Sequence, residues 1–315
     1  MARYDVLVIG SGVCGLTTGI RLLEAGLRVR IWTADRPGAT TSAAAGAYWS
    51  PFLSGPRQRV LDWSTRGYRT LTDLAAQVGT GVRIASCLRA SRGSIDLPWW
   101  NAVPDDLRDC PASELPVGYR TGLRYRVPVV EMPTYLDYLL SRFQSDGGRL
   151  NLHPINELGE VLGAAQVIVN CSGLGARALA LDPGIRPVRG QTVVVGNPGL
   201  DSVFVDDSPT EGRSTYIVPH RDVVVLGGTA EAGDWRLDPD PATARSILER
   251  CRKVEPRLID APVLGHRVGL RPERRQVRLE EDTSLSEVRL IHNYGHGGAG
   301  VTLSWACADD VTAMV

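Results

Sequence analysis

The chain has 315 residues, and its 35 basic and 35 acidic side chains give a formal net charge of zero at neutral pH. Balanced charge argues against nucleic acid or an anionic membrane as a partner, because both are bound through an excess of basic residues. The length suffices for two domains or one large one.

The six cysteines are scattered without a C-x-x-C pair, which favours reduced core residues over a disulfide framework or a zinc site, and no metal is expected. Lys253 is the only lysine and lies in a charged stretch, which weakens any mechanism that needs a Schiff-base lysine. We find neither a signal peptide nor an apolar run of membrane-spanning length, so we expect a cytoplasmic protein.

The first predicted elements are a strand, a glycine turn and a helix. An apolar run over residues 6–9 ends at Gly10, and Gly12 and Gly15 complete a G-x-G-x-x-G spacing before an amphipathic segment. This is the context in which the motif binds the pyrophosphate of a dinucleotide at a helix N-terminus. A second strand follows, and Asp35 then stands about 20 residues beyond the last glycine, where a ribose-binding carboxylate is expected. NAD and FAD are both open at this point, and a simple turn is the alternative for Asp35.

The next part of the chain combines small residues, helices and strands. Residues 39–52 are small and hydroxyl-rich and then aromatic, and Thr40, Thr41 and Ser42 can donate to phosphate oxygens. The apolar spacing predicts one or two helices over residues 56–79 and a helix over 135–143. Strands are predicted over residues 82–88 and 124–130, with a loop between them.

The second half of the chain begins with another buried strand that ends in glycine, at residues 167–173. Asp240 and Pro241 are typical of a helix start, and we predict a helix to about Val254. Further β-rich segments cover residues 192–195, 216–218, 223–228 and 288–291, and the last feeds a glycine-rich turn over 292–300 before an apolar segment at 301–308.

Strands alternate with helices at both ends of the chain, and a strand-rich region lies between. We therefore predict an α/β protein in which a discontinuous Rossmann-like dinucleotide-binding domain carries an inserted α+β substrate domain built on a large mixed sheet. The predicted nucleotide domain comprises residues 1–55, 132–189 and 271–315, and the substrate domain comprises 56–131 and 190–270.

Several motifs, in order over nearly the whole chain, resemble those of the D-amino-acid oxidase family. The strongest is His-Asn-Tyr-Gly-His-Gly-Gly-Ala-Gly-Val-Thr at residues 292–302. Val-Gly-Leu-Arg-Pro-Glu-Arg at 268–274 and Ala-Ala-Gly-Ala-Tyr-Trp-Ser-Pro-Phe at 44–52 also resemble the family. So do the segments at 167–173, 216–219, 226–229 and 233–235.

The resemblance implies FAD as the cofactor, in a flavin domain of the kind shared with glycine and sarcosine oxidases. It implies oxidation of a D-amino acid to an imino acid, which hydrolyses to the 2-oxo acid and ammonia, while dioxygen is reduced to hydrogen peroxide. The expected partners are thus a small D-amino acid and dioxygen. A homodimer is compatible with the resemblance, but the sequence does not decide the oligomeric state.

The resemblance also assigns the catalytic residues. Arg271 matches the arginine that pairs with the substrate carboxylate, which a planar guanidinium can bind through two parallel hydrogen bonds. Tyr216 matches a tyrosine that holds the same carboxylate, and the Gly298 carbonyl matches the acceptor of the substrate amine. The alternative for Arg271 is a surface ion pair with Glu273, Glu280 or Glu281.

The hydrogen on Cα is expected to leave as hydride to flavin N5, so alignment rather than a general base is required. His292 and His296 are therefore expected to pack around the glycine turn rather than to act in catalysis. Thr302 and the backbone of residues 299–301 match the wall around the flavin pyrimidine. The cofactor-binding residues predicted from the motif and the resemblance together are Gly10, Gly12, Val13, Cys14, Gly15, Asp35, Arg36, Thr40, Thr41, Ser42, Ala45, Gly46, Val169, Ser172, Gly173, Arg271, Gly297, Gly298, Ala299, Gly300, Val301 and Thr302.

The chain departs from the family pattern at several positions. Gly212 stands where many members have a second active-site tyrosine, and residues 210–215 form a short segment where some members have a long lid. Ala306 replaces a glycine of the signature. The chain ends at Val315 within the last predicted helix and without a peroxisomal signal, which is expected of a truncated chain or of a cell that does not use that signal.

Other activities stay open on the sequence alone. A D-aspartate oxidase needs an additional cation, which Arg213 could supply, although strand alternation favours the face opposite to Tyr216. A glycine or sarcosine oxidase, an NAD-dependent dehydrogenase and a flavin-binding protein without oxidase activity are further alternatives.

Overall fold

The computed structural model describes residues 4–208, 213–283 and 288–315, without the side chain of Arg213. The helices are α1 (Val13–Glu24), α2 (Arg57–Ala75), α3 (Met132–Ser145), α4 (Ala176–Leu179), α5 (Pro241–Val254) and α6 (Gly300–Met314). The strands are β1 (Tyr4–Ile9), β2 (Val29–Thr33), β3 (Val82–Ser91), β4 (Arg108–Asp109), β5 (Thr121–Val130), β6 (Arg149–Leu152), β7 (Ala165–Asn170), β8 (Arg186–Gly196), β9 (Val203–Asp206), β10 (Arg213–Pro219), β11 (Val223–Thr229), β12 (Glu231–Ala232), β13 (Val263–Asp282) and β14 (Arg289–His296).

One half of the sheet is parallel and carries the glycine turn. Its strand order is β14-β7-β1-β2-β6, and every neighbouring pair in it is parallel. Strand β1 lies in the middle and is nearly completely buried at Val6, Val8 and Ile9, as expected of a strand covered on both faces. The carboxyl ends of β1, β2 and β7 therefore meet at one edge, which is where open α/β sheets bind ligands.

The other half of the sheet is mixed. Its order is β4-β5-β3-β9-β10-β11-β8-β13, in which β3 and β9 are parallel and the remaining neighbours are antiparallel. Strand β13 pairs with β8 along its first half and with β14 along its second half. Because one continuous strand belongs to both halves, the two are joined through backbone hydrogen bonds.

Several predicted elements are confirmed. Helix α1 follows the glycine turn and buries Leu16 and Ile20 completely. Helix α5 begins where the Asp240 carboxylate accepts a hydrogen bond from the Thr243 backbone N–H at 2.6 Å. The apolar segment after the last glycine turn is helix α6, whose first half is buried.

Three predictions about local structure were incomplete. The predicted turn over residues 292–300 begins too early, because β14 continues through His296. Strand β13, with 20 residues, was not predicted, since most of its side chains are exposed or only partly buried and show no apolar alternation. Strand β6 was also not predicted, because it is short and largely exposed.

The predicted domain boundaries at 189/190 and 270/271 fall inside strands β8 and β13, so the division into two domains stays a prediction.

Within the described residues, no helix is long and apolar enough to cross a membrane. The same part of the chain contains no cluster of three or more His, Cys, Asp or Glu side chains suited to a metal ion.

The crossing of α2 and α6 requires glycine at position 67. A Cβ on Gly67 would lie 2.0 Å from the Thr302 carbonyl oxygen, so any side chain at position 67 would force α2 away from α6. We expect Gly67→Ala to lower the free energy of unfolding by about 1–3 kcal/mol through overpacking. In an open helix the same change would stabilise by about 1 kcal/mol.

Urea unfolding of the wild type and the variant measures this difference. Gly38→Ala is the control, since no atom lies within 4 Å of a Cβ at Gly38. A more stable Gly67→Ala protein would contradict the close helix crossing.

Candidate active site

A cavity of about 530 Å³ extends from the glycine turn after β1 to strands β10 and β13. At one end it is lined by Gly10, Gly12 and Val13, and at the other by Tyr216 and Arg271. The cavity therefore brings together the predicted dinucleotide-binding motif and the predicted carboxylate-binding pair, which are more than 200 residues apart in the chain.

The three motif glycines have different environments. Gly10 has a φ of +100°, and a Cβ there would lie 2.7 Å from the Cys171 carbonyl oxygen. A Cβ on Gly15 would lie 1.9 Å from the Gly10 carbonyl oxygen, so Gly15 allows α1 to approach β1. Gly12 is less confined, because its nearest neighbour would be the Ser42 Oγ at 3.2 Å. Gly12 thus leaves open the space in front of the α1 N-terminus.

The N-terminus of α1 is arranged to receive an anion. Gly12 precedes α1 and has no capping side chain, while the Ser42 hydroxyl accepts a hydrogen bond from the Val13 N–H at 3.1 Å. The Ser11 hydroxyl donates to the Asp35 carbonyl oxygen at 2.8 Å, and Asp35 itself is exposed at the cavity. The free backbone N–H groups at the start of α1, the neighbouring hydroxyls and the space left open by Gly12 are suited to bind a pyrophosphate. The Asp35 carboxylate is suited to accept hydrogen bonds from a ribose.

Two aromatic residues near this end were missed by the sequence analysis. The rings of Trp32 and His153 lie 4.4 Å apart between centroids, and both residues line the cavity. His153 follows β6, and its backbone N–H donates to the Thr33 carbonyl oxygen at 2.8 Å. Trp32 could have been found from its place at the end of the second predicted strand, but His153 could not, because β6 itself was not predicted.

At the opposite end, two glycines make room for Tyr216 and Arg271. A Cβ on Gly227 would lie 1.8 Å from the Tyr216 ring carbon Cζ, and a Cβ on Gly190 would lie 2.3 Å from the Arg271 Nη1. The Arg271 Nη1 donates to the Thr229 carbonyl oxygen at 3.0 Å. Each side chain therefore lies directly over backbone, which fixes its position on the sheet.

The charges at this end leave Arg271 available to an anion. Burial raises the pKa of the Tyr216 hydroxyl, and the nearby Arg271 guanidinium opposes part of that rise, so the hydroxyl stays protonated at neutral pH. Within the described residues, no carboxylate lies within 4.0 Å of the Arg271 guanidinium. The acids considered as alternative partners pair elsewhere, in Arg186–Glu273, Arg278–Glu280 and Arg289–Glu281.

The turn after β14 is held by the loop that precedes α2. A Cβ on Gly297, whose φ is +56°, would lie 1.8 Å from the Leu53 carbonyl oxygen. The Gly298 N–H donates to the Phe52 carbonyl oxygen at 3.1 Å, and the Thr302 hydroxyl bonds the backbone N–H and carbonyl of Ser50 at 2.9 and 3.0 Å. These hydrogen bonds fix the turn beside the cavity, and the Thr302 hydroxyl holds the loop that contains Ser50 and Phe52.

Most of the predicted site residues lie at the cavity, and five do not. Gly15, Val169, Ala299 and Thr302 are buried beside it, in helix and strand contacts, and Arg36 is exposed outside it. The predicted residues that line the cavity are Gly10, Gly12, Val13, Cys14, Asp35, Thr40, Thr41, Ser42, Ala45, Gly46, Ser172, Gly173, Tyr216, Arg271, Gly297, Gly298, Gly300 and Val301.

The two histidines of the signature are packed and hydrogen-bonded. His292 is fully buried, with its Nε2 2.9 Å from the Asp282 carboxylate and its Nδ1 3.3 Å from the Asn170 amide nitrogen. Burial lowers the pKa of His296 to about 4, and its Nδ1 lies 3.5 Å from the Cys14 Sγ. His296 is therefore neutral at physiological pH.

The chain belongs to the FAD dependent oxidoreductase family, whose family model matches residues 5–314. It is 48% identical over 309 residues to a D-amino-acid oxidase from Rubrobacter xylanophilus, covering 98% of this chain and 94% of that protein. It is 42% identical over 312 residues to a D-amino-acid oxidase from Streptomyces coelicolor, and the match covers 98% of this chain and 96% of that protein. The structure of a glycine oxidase from Geobacillus kaustophilus superposes with a TM-score of 0.83 at 20% identity, covering 99% of this chain and 94% of that one. The predicted fold class is thereby confirmed.

The glycine turn generates a prediction about cofactor binding. We expect Gly12→Val to fold, because its nearest neighbour is the flexible Ser42 side chain, but to lose FAD binding, because the branched side chain occupies the cavity. The flavin absorbance of the purified protein measures this loss, and circular dichroism checks the fold. Full flavin content in Gly12→Val would show that this turn does not hold the dinucleotide.

Proposed function

We propose that the protein is an FAD-dependent D-amino-acid oxidase, which converts a D-amino acid into a 2-oxo acid, ammonia and hydrogen peroxide. The observation that carries this proposal is the Arg271 guanidinium, which has no carboxylate partner among the described residues and lies beside Tyr216 at the end of the cavity. The names of the relatives from R. xylanophilus and S. coelicolor support it.

The residues around the cavity fit FAD. Gly12, Ser42 and the N-terminus of α1 would hold the pyrophosphate, Asp35 would hold a ribose, and the turn at Gly297 and Gly298 would approach the flavin. When bound, the flavin accepts a hydride and passes the electrons to dioxygen.

The protein's own part in the reaction is to align the substrate. Arg271 would bind the substrate carboxylate through charge-assisted hydrogen bonds, and the protonated Tyr216 hydroxyl would donate to the same group. The Gly298 carbonyl would accept a hydrogen bond from the amine. With the carboxylate and the amine both fixed, only one enantiomer presents its Cα hydrogen to the flavin, so alignment supplies both rate and stereospecificity.

No feature of the described residues favours one of the alternative activities. A D-aspartate oxidase needs a second cation, but the Arg213 side chain lies outside the described residues, and so do residues 210–212, which include Gly212. The likeness to a glycine oxidase at 20% identity concerns the fold alone. A peroxide assay across a panel of D- and L-amino acids, glycine and sarcosine tests the proposal. Turnover limited to D-amino acids is expected, and turnover limited to glycine and sarcosine would contradict the proposal.

Arg271 is the side chain that this function depends on most. We expect Arg271→Ala to keep its flavin but to lose about 3–5 kcal/mol of transition-state stabilisation, which is roughly a hundredfold to a few thousandfold in kcat/KM for D-alanine. Arg186→Ala is the matched control, since Arg186 is an exposed arginine on the neighbouring strand β8. Near wild-type kcat/KM in Arg271→Ala would refute the assignment.

A further inference from the structure

The face of the sheet that carries Tyr216 continues beyond the candidate site. Tyr216 on β10 pairs with Val205 on β9, and Val205 pairs with Arg89 on β3. Residues paired directly across neighbouring strands project to the same face. Arg89 therefore lies on the face of Tyr216, two strands and about 10 Å away.

Tyr48 connects these two positions. Its ring centroid lies 6.5 Å from that of Tyr216, and the charge of Arg89 partly opposes the rise that burial produces in the pKa of Tyr48. Neither Tyr48 nor Arg89 lines the cavity itself, so Arg89 would act on a group beside Tyr216 through its charge over about 10 Å and not through direct contact. It lies on the side of Tyr216 away from β8 and β13, where Arg271 is found.

A carboxylate neutralises Arg89. The Arg89 Nη2 forms an ion pair with the Asp207 carboxylate, and the two side chains are 22% and 29% exposed. The Arg89 guanidinium also lies 5.7 Å from the Trp100 ring centroid. No hydrogen-bond partner is found for its Nε within the described part of the chain. The Arg89–Asp207 pair has no net charge, although the Arg89 guanidinium remains a cation whose Nε donor is not used.

We propose that the Arg89–Asp207 ion pair sets the charge class of the substrate side chain, because Asp207 cancels the cation that would otherwise favour acidic D-amino acids. The inference rests on the proposed function. With the carboxylate on Arg271 and the amine on Gly298, the remaining substituent on Cα would lie beside Tyr216, on the side of Tyr48 and Arg89. Uncharged side chains are then preferred there, since an acidic one loses hydration and meets no net positive charge.

The wild-type protein gives the first test through substrates of equal shape. We expect kcat/KM for D-glutamine to exceed that for D-glutamate by about tenfold or more, and likewise for D-asparagine over D-aspartate. An acidic substrate that equals or exceeds its amide would overturn the inference. If no D-amino acid is oxidised at all, the proposed function fails instead, so the two failures are distinguishable.

Removal of the masking carboxylate gives the second test. We expect Asp207→Asn to raise the ratio of kcat/KM for D-glutamate to that for D-glutamine about tenfold, and adding Arg89→Met should abolish the gain. Asp206→Asn is the control. The Asp206 carboxylate lies on the opposite face of β9 and accepts a hydrogen bond from the Tyr119 hydroxyl at 2.7 Å, so this change should leave the ratio unaltered.

An unchanged ratio in a folded, flavin-loaded Asp207→Asn protein would overturn the inference, as would an equal gain in Asp206→Asn. If Asp207→Asn does not fold, Asp207→Ser removes the same charge and is judged by the same ratio.

Discussion

The placement of Arg271 over Gly190 is the constraint on which the candidate site depends. The guanidinium occupies the volume that any Cβ at position 190 would take, at 2.3 Å from the Nη1, so β8 must present a bare backbone at this point. Strand β13 carries Arg271 and also pairs with β14, which leads into the turn at Gly297. Arg271 and the turn at Gly297 are therefore connected through the backbone pairing of β13 with β14.

Tyr216 also requires a glycine beneath it, because its ring lies over Gly227 on the adjacent strand. Glycines under large polar side chains cost conformational entropy, which is acceptable where backbone must approach a side chain closely. The two residues that we assign to the carboxylate are thus fixed by the sheet rather than by a loop. Rigid placement of this kind is what alignment-based catalysis requires.

The sequence predicted the strand, glycine turn and helix that line one end of the cavity, and it predicted less of the structure around Arg271. The spacing of Gly10, Gly12 and Gly15 reports a local strand-turn-helix unit, and such a unit can be predicted without tertiary information. The partners of Arg271 depend on pairing between β8 and β13, and the exposed and partly buried side chains of β13 give no periodic signal. The Arg89–Asp207 pair cannot be predicted from the sequence either, because it depends on the register between β3 and β9.

The central claim is that Arg271 and Tyr216 orient a D-amino acid for hydride transfer in a flavin-loaded protein. Anaerobic titration of the purified yellow protein with D-alanine and then with L-alanine tests it most directly, because reduction is observed without the oxygen reaction. We predict that D-alanine bleaches the flavin absorbance completely and that L-alanine does not. Equal bleaching by both enantiomers, or none by any D-amino acid, would contradict this account.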